Sequence, residues 1–201
     1  MRVFVLGLTM EARMAQLLTA TSATQNFPAH PTAHPGQAYE AARLRSAEFK
    51  DIPELLGLYK VALGKAESEE TLTGWLEQGG ALVLENAEGN MLCALRWREE
   101  PNSEGQDGWR VDRVATIPEA RGQGFGRWLM TKVEALAIRT NIPTLTLTLD
   151  EVRDDLLAYY QRMGYEVVEK KPNEVTLSKR VGGTWQRKEG LGVGGKTGFG
   201  D

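Results

Sequence analysis

Three glycines at alternate positions, Gly122, Gly124 and Gly126, stand between Arg121 and Arg127, just after a strand-like run that ends at Pro118. An amphipathic pattern begins directly after them, with Leu129, Met130, Val133, Leu136 and Ala137 on one side. A strand, a glycine turn and a helix in that order leave several backbone N–H groups pointing outward at a helix N-terminus, where the macrodipole also favours negative charge. Glycines lack the Cβ that would hold a phosphate away from the backbone. A plain tight turn has no need of three glycines so spaced. The chemistry expected is pyrophosphate binding, with Arg121 and Arg127 adding positive charge beside the turn.

Other segments carry chemical residue types in unsuitable settings. Gly190-Leu191-Gly192-Val193-Gly194-Gly195-Lys196-Thr197 satisfies the phosphate-loop pattern of nucleotide hydrolases letter for letter. A working phosphate loop follows a buried apolar strand and opens a helix. Here Trp185-Gln186-Arg187-Lys188-Glu189 precedes it and four residues follow Thr197, so the match reads as the product of a glycine-rich tail. His30 and His34 are spaced for a metal only on a helix, which Pro31 opposes, and no metal site is expected. Cys93 lies in the apolar run Met91-Leu92-Cys93-Ala94-Leu95 and reads as a small buried hydrophobe.

The 201 residues are 41% apolar and 25% charged, enough for one ordinary core under a soluble surface. A formal net charge of −3 offers no basic face for nucleic acid. No run approaches the ~18 apolar residues of a membrane helix. Glu11 and Arg13 interrupt the apolar start too early for a signal peptide, although few acids in the first forty residues leave a transit peptide open. One cysteine allows no intrachain disulfide and suits a reducing compartment. A cytoplasmic protein is expected, with no membrane or nucleic-acid partner.

The elements that must position the glycine turn can be read in order. Residues 1–42 are read as a flexible leader that contains the proline-rich linker Phe27 to Gly36. A short strand lies around Leu44. Asp51, Pro53 and Glu54 spell a helix start in which Asp51 caps the free amides and Glu54 answers from the third position. A helical stripe at Ile52, Leu55, Leu56, Tyr59, Ala62 and Leu63 ends at Gly64, and a second helix runs from about Ser68 to Gln78. Ala81–Glu85 and Met91–Trp97 form a hairpin, and Trp109–Ile117 a third strand. After the glycine turn and its helix, Thr144–Leu149 alternates threonine with leucine; a helix to Met163 and strands at Tyr165–Lys170 and Glu174–Val181 complete the order. Short turns make antiparallel pairs and a helical crossover a parallel one. The fold class is α/β, a mixed and mostly antiparallel sheet with helices on both faces, over residues 43–181. Residues 182–201 are read as a mobile glycine-rich tail.

Arg121-Gly122-Gln123-Gly124-Phe125-Gly126 resembles the signature of the GNAT (Gcn5-related N-acetyltransferase) superfamily: Arg or Gln, two residues, Gly, one residue, then Gly or Ala. Leu157-Ala158-Tyr159-Tyr160-Gln161-Arg162-Met163-Gly164-Tyr165 is similar to a second motif of that family, in the same order and at a compatible spacing. The resemblance spans essentially all of residues 43–181. It implies transfer of an acyl group from acetyl-CoA, as co-substrate and without a metal, to the amine of a small molecule or peptide. It also implies that Gly122, Gln123, Gly124, Phe125, Gly126 and Arg127 hold the pyrophosphate with Arg121 beside them. Val114, Ala115 and Thr116 would bind pantetheine like an added strand, in a cleft where this strand splays from Thr144–Leu149. The position of Tyr160 is that of a general acid beside the sulfur, and Asp112 is the candidate base, with an ion pair to Arg110 or Arg113 as its alternative role. Asn is common at the end of the strand after the motif, where Leu149-Asp150 stands here.

At ~100° per residue Leu156, Tyr159 and Met163 share one stripe and Tyr160 lies roughly 80° off it. Tyr159 is thereby expected in the core and Tyr160 at a cleft. A non-catalytic CoA-binding module on the same fold is the alternative function, and a homodimer is left open.

Overall fold

The computed structural model describes residues 42–102, 105–150 and 153–181. The leader with His30 and His34, and the tail with Gly190–Thr197, lie outside the described residues. The stripe after Asp51 forms α1 (Ile52–Leu63), burying Ile52, Leu55, Leu58 and Tyr59 and closing on Gly64 in the left-handed conformation at φ 67°. Helix α2 (Glu69–Gln78) starts on Ser68, whose hydroxyl accepts the Thr71 N–H at 3.1 Å. The strands are β1 (Arg43–Ser46), β2 (Gly79–Glu85), β3 (Met91–Glu99), β4 (Gly108–Thr116), β5 (Thr144–Asp150), β6 (Glu166–Lys171) and β7 (Glu174–Arg180). Helix α3 (Phe125–Arg139) connects β4 to β5, and α4 (Asp154–Arg162) follows β5.

The sheet order is β1-β2-β3-β4-β5-β7-β6. Every pairing is antiparallel except β4 with β5, the pair joined through α3. This is the mixed, mostly antiparallel sheet expected from the element order. The leucines of β5, with Trp97, Trp109 and Val111, pack against α3 and α4 in one core. Val83, Met91, Ala94 and Ala115 pack against α1 and α2 on the opposite face. That second cover stops at β4. Beyond it the threonine side of β5, with Arg110, Thr176 and Ser178, lines an open cavity of about 1000 Å³.

The expected capping box at α1 does not form. Asp51 occupies the cap position, but its carboxylate accepts the Glu48 N–H at 2.7 Å and both terminal nitrogens of Arg45, at 2.5 and 3.0 Å. Glu54 reaches instead to the Met91 N–H of β3, at 3.0 Å. The physical reason is the single 3₁₀ turn at Phe49–Asp51, in which the Asp51 N–H that Glu54 would accept already bonds the Glu48 carbonyl at 2.9 Å. A guanidinium is also a stronger partner for Asp51 than a helix amide.

Desolvation works to raise the Asp51 carboxyl, yet Arg45 and the Glu48 amide outweigh it and hold it below the usual range. A group depressed on folding stabilises above its unfolded value of ~3.9 and loses that contribution as pH falls through its folded value. Asp51→Asn is therefore expected to weaken the protein at neutral pH and to flatten its acid limb. Urea midpoints at neutral and mildly acidic pH check this, and an unchanged acid limb in the variant would assign that limb to other carboxylates.

Candidate active site

Strand β4 holds β3 on one side as far as Thr116, but it holds β5 on the other only from Gly108 to Val111. Strand β5 runs on to Asp150, and beyond Leu147 its paired partner is β7. The two strands therefore part after Val111. The backbone groups of Asp112–Thr116 that face β5 have no strand to bond, a free edge that a ligand amide can join. A bulge lies where the strands part. Between the pairs Ala94–Ala115 and Arg96–Asp112, β3 has Leu95 alone while β4 has Arg113 and Val114, and Arg113 takes φ 51°. Bulges bend their strand and re-aim its side chains. Val114, Ala115 and Thr116 thus lie on the edge of β4 that β5 has left.

The glycine turn abuts this edge. Gly122 and Gly124 are left-handed, at φ 76° and 82°, and Gly124 is the cap residue of α3. The Trp128 N–H bonds the Gly124 carbonyl at 3.0 Å, so the amides of Phe125, Gly126 and Arg127 precede the first helical bond. Helices α2 and α4 open with acidic residues, whereas the first turn of α3 has none and no capping side chain. A Cβ on Gly124 would meet nothing within 4 Å, and one on Gly126 would only touch Val114 and Thr116 at 3.6 and 3.8 Å. The chain itself leaves this space open. Phe125 roots the turn in the core beneath while Arg127 is exposed.

Arg121 does something other than line the turn. Its guanidinium donates to the Ala62 carbonyl at 2.7 Å and, more weakly, to that of Thr116 at 3.4 Å. It ties the turn to the C-terminal end of α1, whose carbonyls have no helical donors.

The tyrosine pair reverses the helical-wheel expectation. Tyr160 is 5% exposed and belongs to the core, whereas Tyr159 is only partly buried. Met163 is the C-cap of α4 and lies outside the helix, so it does not define the inward stripe. The Tyr160 ring stands edge-on between Tyr159 and Tyr165, at centroid distances of 5.1 and 5.9 Å. Burial, reinforced by Tyr159 and then by Cys93 and Asp112, raises its phenol and keeps it protonated. Its hydroxyl makes no hydrogen bond among the described residues. Arg127 lies within electrostatic reach of Tyr159, so α4 and the glycine turn border the same region.

On the α1–α2 side Asp112 meets Arg96, a partner the sequence reading did not name. Antiparallel register sets Arg96 directly opposite Asp112. Its guanidinium, 1% exposed, donates to Asp112 Oδ2 at 2.7 and 3.2 Å and to both oxygens of Glu67 at 2.7 and 2.8 Å. It also lies over Trp75 at 4.3 Å and Tyr59 at 5.6 Å. Arg110 turns instead to Glu100 and Thr148, and Arg113 stays 3.8 Å from Asp112 Oδ2. All these contacts use Oδ2, which leaves Oδ1 for another group. The readable signal for Arg96 was an arginine inside the apolar run Leu92–Trp97. Glu67 had no signal beyond being an acid near a helix start.

Cys93 is fully buried, and burial pushes its thiol up to about 12, with the Thr116 hydroxyl at 3.1 Å acting in the opposite sense. It offers no thiolate at neutral pH. Asp150 at the end of β5 reaches Lys65, in the connection between α1 and α2, at 2.5 Å. Among the described residues no group of three or more His, Cys, Asp or Glu could hold a metal, and no helix is long and apolar enough to cross a membrane.

A family model described as acetyltransferase (GNAT) family matches residues 42–165. An S-alkylcysteine N-acetyltransferase of Bacillus subtilis (strain 168) is 36% identical over 100 residues, 46% of this chain and 54% of that protein. The chain thus spans about half the length of this curated relative. Among solved structures, the ribosomal-protein-S18-alanine N-acetyltransferase from Escherichia coli superposes with a TM-score of 0.61 at 16% identity, covering 73% of this chain and 97% of that one. A GNAT family N-acetyltransferase (YhbS) from Escherichia coli in complex with CoA gives 0.60 at 18% identity, covering 74% and 85%. At such identities the likeness is one of fold.

Proposed function

The chain belongs to the GNAT acetyltransferase family, and from that premise we propose that it transfers the acetyl group of acetyl-CoA to the primary amine of a small molecule or peptide. The observation that carries the proposal is the parting of β4 from β5 beside a helix N-terminus whose first turn has no acidic residue and no capping side chain. Phosphates suit the amides of that turn and the positive end of the α3 dipole. The amide groups of pantetheine suit the free edge at Val114–Thr116. Phe125 and Arg121 hold the turn from below and from α1.

Bound acetyl-CoA supplies an activated thioester. Attack by the amine forms the N–C bond and breaks the C–S bond; Asp112 Oδ1 receives the amine proton, directly or through water, and Tyr160 gives its proton to the departing thiolate. Arg96, itself held by Glu67, clamps Oδ2 so that Oδ1 keeps one direction, a positioning role. Cys93, held as a thiol, supports direct transfer rather than an acyl-cysteine. A cytoplasmic location completes the reading, on the basis of the single cysteine.

Calorimetric titration with acetyl-CoA and with ATP, followed by thiol release against a panel of amines, tests the proposal. Saturable acetyl-CoA binding without ATP binding, and acetylated product by mass spectrometry, are expected. Acetyl-CoA binding with no transfer to any amine would favour a CoA-binding module instead.

A further inference from the structure

Arg113 and Tyr59 take no part in the transfer step itself. The Arg113 side chain is only 19% exposed, yet it makes no hydrogen bond among the described residues, and its Nε is buried without a partner. Its nearest carboxylate atoms are Asp112 Oδ2 and Glu67 Oε1, at 3.8 and 3.9 Å, and both already accept from Arg96. Arg113 is also held at φ 51°, a backbone region that non-glycine residues rarely enter, at the point where β4 leaves β5. Such residues concentrate at functional sites. Tyr59 is 0% exposed, and its hydroxyl too is buried without a partner among the described residues. It lies within electrostatic reach of Asp112 and Arg113.

Buried donors almost always have an acceptor, so these call for one from outside the described residues. Next to them, Asp112 Oδ1 is an uncommitted acceptor. The site thus presents a cation beside an anion, on neighbouring residues of β4, with a phenol donor on α1. The complement is a molecule with an ammonium and an anion separated by very few atoms.

We propose that the acceptor is a free α-amino acid, with its carboxylate on the Arg113 guanidinium and the Tyr59 hydroxyl and its amine at Asp112 Oδ1. The proposal rests on the acetyltransfer reading of the same site. A peptide N-terminus has an amide where the carboxylate should be, and a polyamine would bring a second cation against Arg113.

The test measures kcat/KM of the full chain for free amino acids, for the carboxamide of each and for short peptides. The acid is expected to exceed its carboxamide by roughly ten- to a hundred-fold, the range of a charge-assisted hydrogen bond. In Arg113→Gln that ratio should fall towards one, and Arg113→Lys should recover part of it. Carboxamides or peptides used as well as the free acid by the unaltered chain would overturn the proposal, as would a ratio untouched by Arg113→Gln. A second arm titrates an amino acid and its carboxamide into the CoA-saturated protein and needs no turnover. Preferential binding of the acid without acetyl transfer would uphold the Arg113 assignment and sink the transfer reading. Equal binding of the two would overturn the assignment even if transfer occurs. Should Arg113→Gln fail to fold, the acid-to-carboxamide ratios of the unaltered chain decide the matter.

Discussion

Tyr160→Phe is expected to lower turnover roughly ten- to a thousand-fold, the scale of a lost general acid, while acetyl-CoA binds nearly as before. The phenol is protonated, has no hydrogen-bond partner among the described residues, and lies within electrostatic reach of Asp112 on β4. A phenol near ~10 giving its proton to a thiolate near ~8.5 is uphill by about 2 kcal/mol. Burial raises the phenol further, but the same dry surroundings destabilise the thiolate and raise its proton affinity as well. Removing one oxygen from an edge-on ring leaves the packing against Tyr159 and Tyr165 in place, so the fold should persist. Tyr159→Phe, at a partly buried position, should alter turnover little. Steady-state rates of both variants at several pH values, alongside thermal unfolding, make the comparison. Full activity of Tyr160→Phe across that range would leave water to protonate the thiolate.

Gly124→Val is expected to weaken acetyl-CoA binding several-fold or more. Two effects combine there. A Cβ enters the space that a phosphate must approach, and a β-branched residue resists φ 82°. The backbone strain alone costs about 1–2 kcal/mol, and it acts on stability whether or not a ligand binds. Gly89 separates the two effects. It is left-handed at φ 87° in the hairpin turn between β2 and β3, and a Cβ there would likewise meet nothing within 4 Å. Gly89→Val should lose comparable stability and keep its acetyl-CoA affinity. Calorimetric titration of the two folded variants is the measurement. Equal affinity in both would show that the glycine turn serves the chain alone.

The order of strands and helices was legible because each segment carries its own period: alternation along Thr144–Leu149, a helical stripe after Ile52, and glycine stops at Gly64 and after Gln78. The glycine turn was legible for the same reason, since the left-handed glycines and the start of α3 are both written in local sequence. The capping of α1 was misread because Asp51 turns to the Arg45 guanidinium on β1 and Glu54 to the Met91 amide on β3, partners that the helix-start pattern does not show. The tyrosines were misread because a wheel drawn through Met163 assumed a helix one residue longer than the one that forms.

By itself the sequence determined the elements, their order and the glycine turn that opens α3. All of these follow from neighbours in the chain. Only the tertiary structure decided that β7 inserts beside β5 and leaves β6 at the edge, because both hairpin strands read alike. Only it decided that β4 parts from β5 at a bulge, since pairing is lost through register and Arg113 has no distinctive local code. And only it brought Arg96, Glu67 and Asp112 together, because an ion pair between distant segments depends on which residues the folded sheet sets opposite one another.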